Sequence, residues 1–452
     1  MLRFLDTIAA LATPAGTSAI ALLRVSGPDA GRLAQEIFGN TPPPRVARHG
    51  DYIERGGSVL DDVLFTFFSG PNSYTGEDSL EISCHGNPFI AQKILEDLIA
   101  RGCRLAEPGE FTKRAFLNGR MDLSQAEAVM DLIHARSERA LAAANRQLRG
   151  SLGRKMASLI ERLLDVTARI EAYIDFPEDD LPPEDRESFS HALKAIASDT
   201  DLLIATSHYG DLLRDGIKTV IVGAPNVGKS SLLNRLVGRE RALVSPEPGT
   251  TRDFIEERLL VGPHCLRIID TAGINPKPAP LEKLGMDKTL ECVTEADLLL
   301  LVLDASETTV TIPLILNHVR EDVDLVIVLN KSDIGDNYPS INSGFQRSPV
   351  VRVSAKTGAG IDSLVLEITK LADHLPGGLH DDFVAINARH ANALRSARSS
   401  LQEALKKLEP AGPAELLASD LRAVLVSFGE ISGRVDNEAM LDRLFSSFCI
   451  GK

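Results

Sequence analysis

"IKTVIVGAPNVGKSSLLNRL", residues 217–236, decides how the middle of this 452-residue chain is read. An apolar, β-branched run from Ile217 to Val222 meets Gly223, four further residues, then Gly228, Lys229 and Ser230, and an apolar-periodic helix follows. Strand, glycine loop and helix in that order turn backbone N–H groups and a helix N-terminus toward a phosphate chain. Lys229 then reaches the β and γ phosphates, Ser230 ligates Mg2+, and Asn226, Val227 and Ser231 fall within the same cradle.

Three further elements follow in order. "DTAG" (Asp270, Thr271, Ala272, Gly273) ends the strand "LRIID", so that Asp270 can hold Mg2+ through water and the Gly273 N–H can meet the γ-phosphate. "NKSD", with Asn330, Lys331 and Asp333, follows the strand "DLVIVLN". The Asp333 carboxylate can accept both N–H donors on the guanine edge, whereas adenine would leave it unpaired, a penalty that discriminates strongly. "SAK" (Ser354, Ala355, Lys356) follows "VVRV" and places the Ala355 N–H for the guanine oxygen. Together the four elements predict an α/β Ras-like P-loop domain over 214–376 that binds GTP rather than ATP.

The catalytic residue is less plainly written. Many small GTPases carry a water-orienting Gln directly after "DTAG"; here the residue is Ile274, which has no polar atom. Glu282 and Asp287, further along, are the acidic candidates. Asn226 stands where many P-loops have glycine, and its amide oxygen beside the α and β phosphates suits a monovalent cation that would neutralise charge on the β–γ bridge. "SPEPGTTRD" reads as the switch loop: Ser245, Pro246, Glu247, Pro248, Gly249 and Thr250 approach the nucleotide and Thr251 is the expected Mg2+ ligand.

On either side the texture changes. Residues 1–118 alternate short β-like runs with Pro/Gly turns and one helix near 88–101, an α+β pattern. From Asp122, paired with Gln125 in a capping box, apolar residues recur at helical spacing, with Gly153 as the expected break and one amphipathic helix over 187–214. Helical periodicity returns after "LADHLPGGLHDD". The chain is therefore multidomain: an N-terminal α+β domain, a discontinuous all-α domain in two parts, 119–213 and 377–452, and the α/β domain inserted between them.

Composition removes several classes. Net charge is −14, so loose electrostatic binding to nucleic acid is disfavoured and any RNA contact should be local or supplied by a partner. The five cysteines form no CxxC pair, which supports neither a disulfide framework nor a zinc site. No apolar run approaches a membrane span and the N-terminus lacks a signal-peptide pattern, so a cytoplasmic location is expected.

"GAPNVGKS", "PGTTRD", the "DTAG" box followed by a hydrophobic residue, and the terminal "CIGK" together resemble the MnmE (TrmE) family of tRNA-modification GTPases. "DTIAALATPAG", "LRVSG", "SYTGEDSLEISCHGN" and "PGEFTKRAFLNGRMDLSQAEAV" are similar to it as well, so the resemblance spans essentially the whole chain. It implies a homodimer formed through the N-terminal domain and G domains that dimerise when GTP and K+ are bound. It also implies K+ held by Asn226, Ser245, Glu247 and Thr250, with Glu282 as the water-orienting catalytic residue. A flavoprotein partner of the MnmG kind, carrying FAD and forming a heterotetramer, is implied too. With it, members add a carboxymethylaminomethyl or aminomethyl group to C5 of the wobble uridine of certain tRNAs. The carbon comes from a tetrahydrofolate derivative, 5-formyl- or methylene-tetrahydrofolate, at the N-terminal domain. The matching folate positions are Arg24, Glu81, Arg120 and Lys452. A carboxylate such as Glu81 suits the paired N–H donors of a pterin edge, and Arg or Lys suits the negative folate tail.

A ribosome-assembly switch of the Era or Der kind shares the P-loop Asn. Those proteins carry a KH module or a second G domain, and the chain after residue 380 reads as helical instead. At the C-terminus, Leu441, Leu444, Phe445 and Phe448 are spaced to dock a last helix, and Gly451 frees the backbone to turn Lys452 toward the folate pocket. Cys449 reads either as a small buried hydrophobe or as a functional thiol.

Overall fold

The structure, a computed structural model, describes residues 5–175, 186–239, 255–270, 290–307, 316, 318–320, 323–335, 348–375, 384–408, 414–433, 441, 444–446 and 448–451. The chain divides into two compact units: residues 1–130, 153–157 and 428–452 form the first, and 131–152 with 158–427 form the second.

The first unit is built on a six-stranded sheet: β1 (Ile8–Leu11), β2 (Ile20–Ser26), β3 (Arg48–Ile53), β4 (Val59–Phe68), β5 (Ser79–His85) and β6 (Arg104–Leu105), in the order β3-β4-β5-β2-β1-β6. Only β1 and β6 pair in parallel. Side chains alternate across a strand, so β2 sends Leu23 and Val25, and β5 sends Leu80 and Ile82, into one core. Two helices cover that face, α1 (Ala30–Phe38) through Leu33 and Ile37, and α2 (Pro88–Ala100) through Ile94 and Leu98. Asn87 caps α2 by accepting from the Phe89 N–H, with Pro88 at the first helical position. The helix expected near 88–101 is thus present, but α1 and a short α3 (Glu110–Leu117) join it. Both are brief, and their apolar positions are too few to stand out from neighbouring turns.

The capping box on Asp122 is formed. The Gln125 N–H donates to Asp122 Oδ1 at 2.8 Å, and the Asp122 N–H to Gln125 Oε1 at 3.0 Å, at the start of α4 (Leu123–His134). Leu441, Phe445 and Phe448 then bury against Leu123 and Ala126, as their spacing predicts. Gly153 is not a helix break. The turn between α5 (Glu138–Leu148) and α6 (Ser151–Asp175) falls at Gly150, with φ 79°, and Gly153 lies inside α6. Its missing side chain admits Asp122, whose Oδ2 would lie 2.2 Å from a Cβ there.

In the second unit the single helix expected over 187–214 is two, α7 (Arg186–Ala205) and α8 (Ser207–Asp215). The Thr206 hydroxyl bonds both Leu203 O, at 2.7 Å, and Val384 O, at 3.1 Å, and pulls the chain out of helical register between them. Gly216, at φ 91°, ends α8 and releases the chain into the second sheet.

That sheet comprises β7 (Ile217–Val222), β8 (Ile255–Val261), β9 (His264–Asp270), β10 (Leu298–Asp304), β11 (Asp324–Asn330) and β12 (Val350–Arg352), in the order β12-β11-β10-β7-β9-β8. All neighbours run parallel except β8 against β9. Every residue of β10 is buried, the continuous apolar pattern a parallel strand covered on both faces requires. Helices α9 (Lys229–Arg239) and α10 (Ile361–His374) pack Leu232, Leu236, Leu364 and Ile368 into one of its cores. The helices after it, α11 (Ala388–Leu408) and α12 (Ala414–Ser432), complete the helical return that the sequence predicts.

Candidate functional site

In an open parallel sheet, loops at the carboxyl ends of the strands make the binding crevice. Here the loops after β7, β11 and β12 meet through Asn330, which is 2% exposed. Its Nδ2 donates to Val227 O at 2.8 Å, and its Oδ1 accepts the Ala355 N–H at 3.0 Å. One side chain therefore binds the P-loop to the "SAK" turn.

Both P-loop glycines are required by contact. A Cβ on Gly223 would sit 2.4 Å from Val302 O, and one on Gly228, where φ is 96°, 2.3 Å from Asn330 Nδ2. Lys229 is 6% exposed and its Nζ donates to Gly223 O and Ala224 O at 3.0 Å each, so its ammonium is held over the loop. Asn226 takes a left-handed φ of 66° and is exposed, as are Ser230 and Ser231. Asp333 is exposed and accepts the Ser354 hydroxyl at 2.7 Å, a bond that holds its carboxyl below the ordinary aspartate range. It therefore presents a charged carboxylate at neutral pH.

Two groups at this site escaped sequence reasoning. Asp304, the last residue of β10, pairs with Lys331 Nζ at 2.6 Å, and Lys331 itself takes a left-handed φ of 63°. Burial pushes the Asp304 carboxyl up, but hydrogen bonds from Lys331 and Ser306 outweigh that and leave it lowered. The only signal was an acid closing a wholly apolar strand. The second, Arg235, reaches from α9 to the carbonyls of Ala355 and Lys356. Ser245, Pro246, Glu247, Pro248, Gly249, Thr250, Thr251, Thr271, Ala272, Gly273, Ile274, Glu282, Asp287 and Lys452 lie outside the described residues, as does the side chain of Asp270.

In the first unit, alternation puts Arg24 and Glu81 on the sheet face opposite the helices, and the β2–β5 register sets them directly across from one another. Arg24 Nε and Nη2 both donate to Glu81 Oε1, at 3.0 and 2.8 Å, and the Glu81 side chain keeps 28% of its surface exposed. The Arg24 guanidinium lies 5.4 Å from the Tyr74 ring centre and 5.8 Å from that of Phe111. The chain end arrives here: Gly451, at φ 89°, packs where a Cβ would lie 2.5 Å from Leu11 O, and its carbonyl is 3.5 Å from Arg24 Nη1. Arg120 is exposed with its stem over Gly76; among the described contacts none joins it to Arg24 or Glu81.

In the same unit, Arg114 is wholly buried and bonded to Asp6 at 2.9 Å, Glu110 at 2.9 Å and Glu77 at 3.3 Å. Burial raises the Asp6 and Glu110 carboxyls, yet hydrogen bonds from Arg104 and the charge of Arg114 leave both below their ordinary values. The thiols differ among themselves. Burial pushes Cys84 up to about 11 and Cys103 up to about 12, so neither is a thiolate at neutral pH. Cys449 is exposed, which removes its reading as a core hydrophobe.

A family model for the MnmE helical domain matches residues 123–449, and one for the GTP-binding protein TrmE N-terminus matches residues 7–120. The chain belongs to the MnmE family. A tRNA modification GTPase MnmE of Opitutus terrae is 58% identical over 447 residues, covering 99% of both chains. Proteins of the same name from Symbiobacterium thermophilum and Akkermansia muciniphila are 42% and 43% identical, again over 99% of each chain. The G domain of the T. maritima FeoB iron transporter is 27% identical over 34% of this chain and 98% of that one, with a TM-score of 0.26. As a member of the MnmE family, the chain is a GTPase of tRNA modification.

Proposed function

We propose that this protein is a potassium-stimulated GTPase that works with a flavoprotein of the MnmG kind to add an aminomethyl-type group to C5 of a wobble uridine, using a folate-borne carbon. The observation that carries the cation reading is Asn226, exposed on the P-loop at a left-handed φ of 66° with a side chain able to supply an oxygen ligand. Ser245, Glu247 and Thr250 would complete the K+ site. Ser230 and Thr251 would hold Mg2+, and Glu282 would orient water. The loop suits a phosphate chain because Gly223 and Gly228 let its backbone pack closely against Val302 and Asn330, which any side chain at either position would prevent. When bound, Mg2+ and K+ supply positive charge beside the phosphates that develop negative charge. This chain's own part is to bind the phosphates along the loop, present Lys229, and hold the guanine edge at Asp333.

Folate binding at the N-terminal domain is supported by the partly open Glu81 carboxylate, suited to a pterin edge, and by Arg24 beside it; Arg120 and Lys452 would complete the set for a negative tail. A folate derivative supplies the one-carbon unit when bound. Lys452 follows Gly451, whose carbonyl already lies beside Arg24.

Communication between nucleotide and helices has a physical route within the second unit. Strands β8 and β9 run from the switch segments to the turn at Gly262–His264, where Arg139 of α5 donates its N–H to Pro263 O at 3.4 Å. Asp373, near the end of α10, accepts from the Arg139 guanidinium at 2.5 Å and lies 2.9 Å from His264 Nε2. A shift of these strands on hydrolysis would load that cluster and move α5. Assembly as a homodimer, formation of a heterotetramer with the flavoprotein, and a cytoplasmic location belong to the same reading.

Turnover should rise when Na+ is replaced by K+, and Glu282→Ala should lose hydrolysis while keeping GTP affinity. Mass spectrometry of wobble-uridine nucleosides from a deletion strain should show the modification missing. Intact modification would overturn the assignment.

A further inference from the structure

The guanine-reading groups hang on one short turn, and Asn330 secures only half of it. Asn330 Oδ1 holds the Ala355 N–H, and Ser354 bonds Asp333. The opposite side of that turn is gripped from α9. Arg235 Nε donates to Ala355 O at 2.9 Å, and Arg235 Nη2 donates to Lys356 O. The guanidinium also lies 3.9 Å from where a Cβ on Gly358 would stand, so the turn closes over it with φ at 91°. Arg235 is half-buried, and its planar fork meets two consecutive carbonyls, a geometry lysine cannot reproduce.

We propose that Arg235 is a positioning residue for guanine recognition: it latches the Ser354–Lys356 turn to the P-loop helix and so holds the Ala355 N–H and Asp333 at the base edge. The inference rests on the GTPase reading but names a residue six positions beyond the P-loop lysine, with its guanidinium turned to the carbonyls of Ala355 and Lys356. The consequence is a division of labour. The first turn of α9 binds phosphate, and a later turn of the same helix sets the base-reading loop, so base and phosphate sites keep a fixed separation.

The test uses the full chain with Arg235→Ala and Arg235→Lys, a fluorescent GDP analogue, and inorganic pyrophosphate as a competitor that engages the P-loop alone. Losing two hydrogen bonds that order the turn should speed GDP release about tenfold and raise KM for GTP in proportion, with kcat at saturation within about twofold. Pyrophosphate competition should not change, and Arg235→Lys should fall between parent and alanine because it can serve one carbonyl. Unchanged GDP release in a folded Arg235→Ala variant would overturn the proposal, and so would pyrophosphate affinity falling in step with GDP. Should the alanine variant not fold, Arg235→Lys carries the test alone, with about threefold faster release expected from losing one of the two bonds. Failure of the parent protein to bind GDP would instead sink the guanine reading itself.

Discussion

The two candidate sites are made in opposite ways. The nucleotide cradle is built from backbone: Gly223 and Gly228 exist for close approaches, Asn226 and Lys331 adopt left-handed φ, and Asn330 spends its whole side chain on main-chain groups. The N-terminal candidate site is built from side chains: Arg24 on Glu81, Tyr74 and Phe111 beside the guanidinium, and a buried Arg114 among three carboxylates. A backbone site depends on the absence of atoms, whereas a side-chain site depends on charges staying paired. The two should therefore fail under different insults.

The sharpest break should come from Gly228→Ala. The added methyl meets Asn330 Nδ2 at 2.3 Å in a conformation alanine rarely adopts. Strain of roughly 3 kcal/mol, together with displacement of Asn330, should weaken GTP binding by at least about a hundredfold. Equilibrium titration with GDP and GTP measures it, and near-parent affinity would show that the cradle adjusts. Melting of the first unit should be unaffected.

Arg114→Leu tests the other half. Among the described residues Arg114 alone joins Asp6, Glu77 and Glu110. Removing it leaves the nearly buried Glu77 without its cation and Asp6 and Glu110 held by Arg104 alone, which costs about 3 kcal/mol of stability. Calorimetry should show the first unit melting earlier while GDP affinity holds. A melt that leaves the first unit unmoved would mean that Arg104 alone can satisfy Glu110.

A smaller effect of the same kind follows from acid. Asp6 and Glu110 titrate below their unfolded values, so their contribution is complete above the unfolded carboxylate range, about pH 4 to 5. It is lost as pH falls through the lowered folded values. The melting midpoint of the first unit should drop on acidification from pH 5 to pH 3 by less than Arg114→Leu causes, because the Arg114 side chain and its packing stay in place when the carboxyls are protonated. Arg114→Leu should reduce that pH dependence and leave the share that Arg104 contributes.

The contrast also explains what could be read from residues in order. Gly-x4-Gly-Lys-Ser, "NKSD" and "SAK" are legible because a backbone cradle imposes residue types at fixed spacing over a few positions. Arg24 and Glu81 are 57 residues apart, so nothing local joins them; only strand alternation and the β2–β5 register do. Asp304 and Arg235 escaped for the same reason, since each acts on a turn far along the chain. Helix boundaries failed where a side chain outranked periodicity, as Thr206 does in dividing α7 from α8. At Gly153 the reading failed because a glycine serving a close approach looks the same in sequence as one that ends a helix.

The mildest perturbation separates pairing from ligand binding within the N-terminal pocket. Glu81→Gln removes a charge from a cross-strand pair that is partly open to solvent, and such pairs contribute about 1 kcal/mol or less, so the melting midpoint should barely move. Binding of a tetrahydrofolate derivative should nevertheless weaken by about tenfold or more, because an amide cannot accept two N–H donors as a carboxylate does and would leave one of them facing an NH2 group. Calorimetric titration with 5-formyltetrahydrofolate reads the affinity, and GTP hydrolysis in the same preparation should proceed at the parent rate. If folate affinity is unchanged while the midpoint falls by several degrees, the Arg24–Glu81 pair is a structural brace across β2 and β5, and the pocket's ligand must be sought at Arg120 and the chain end.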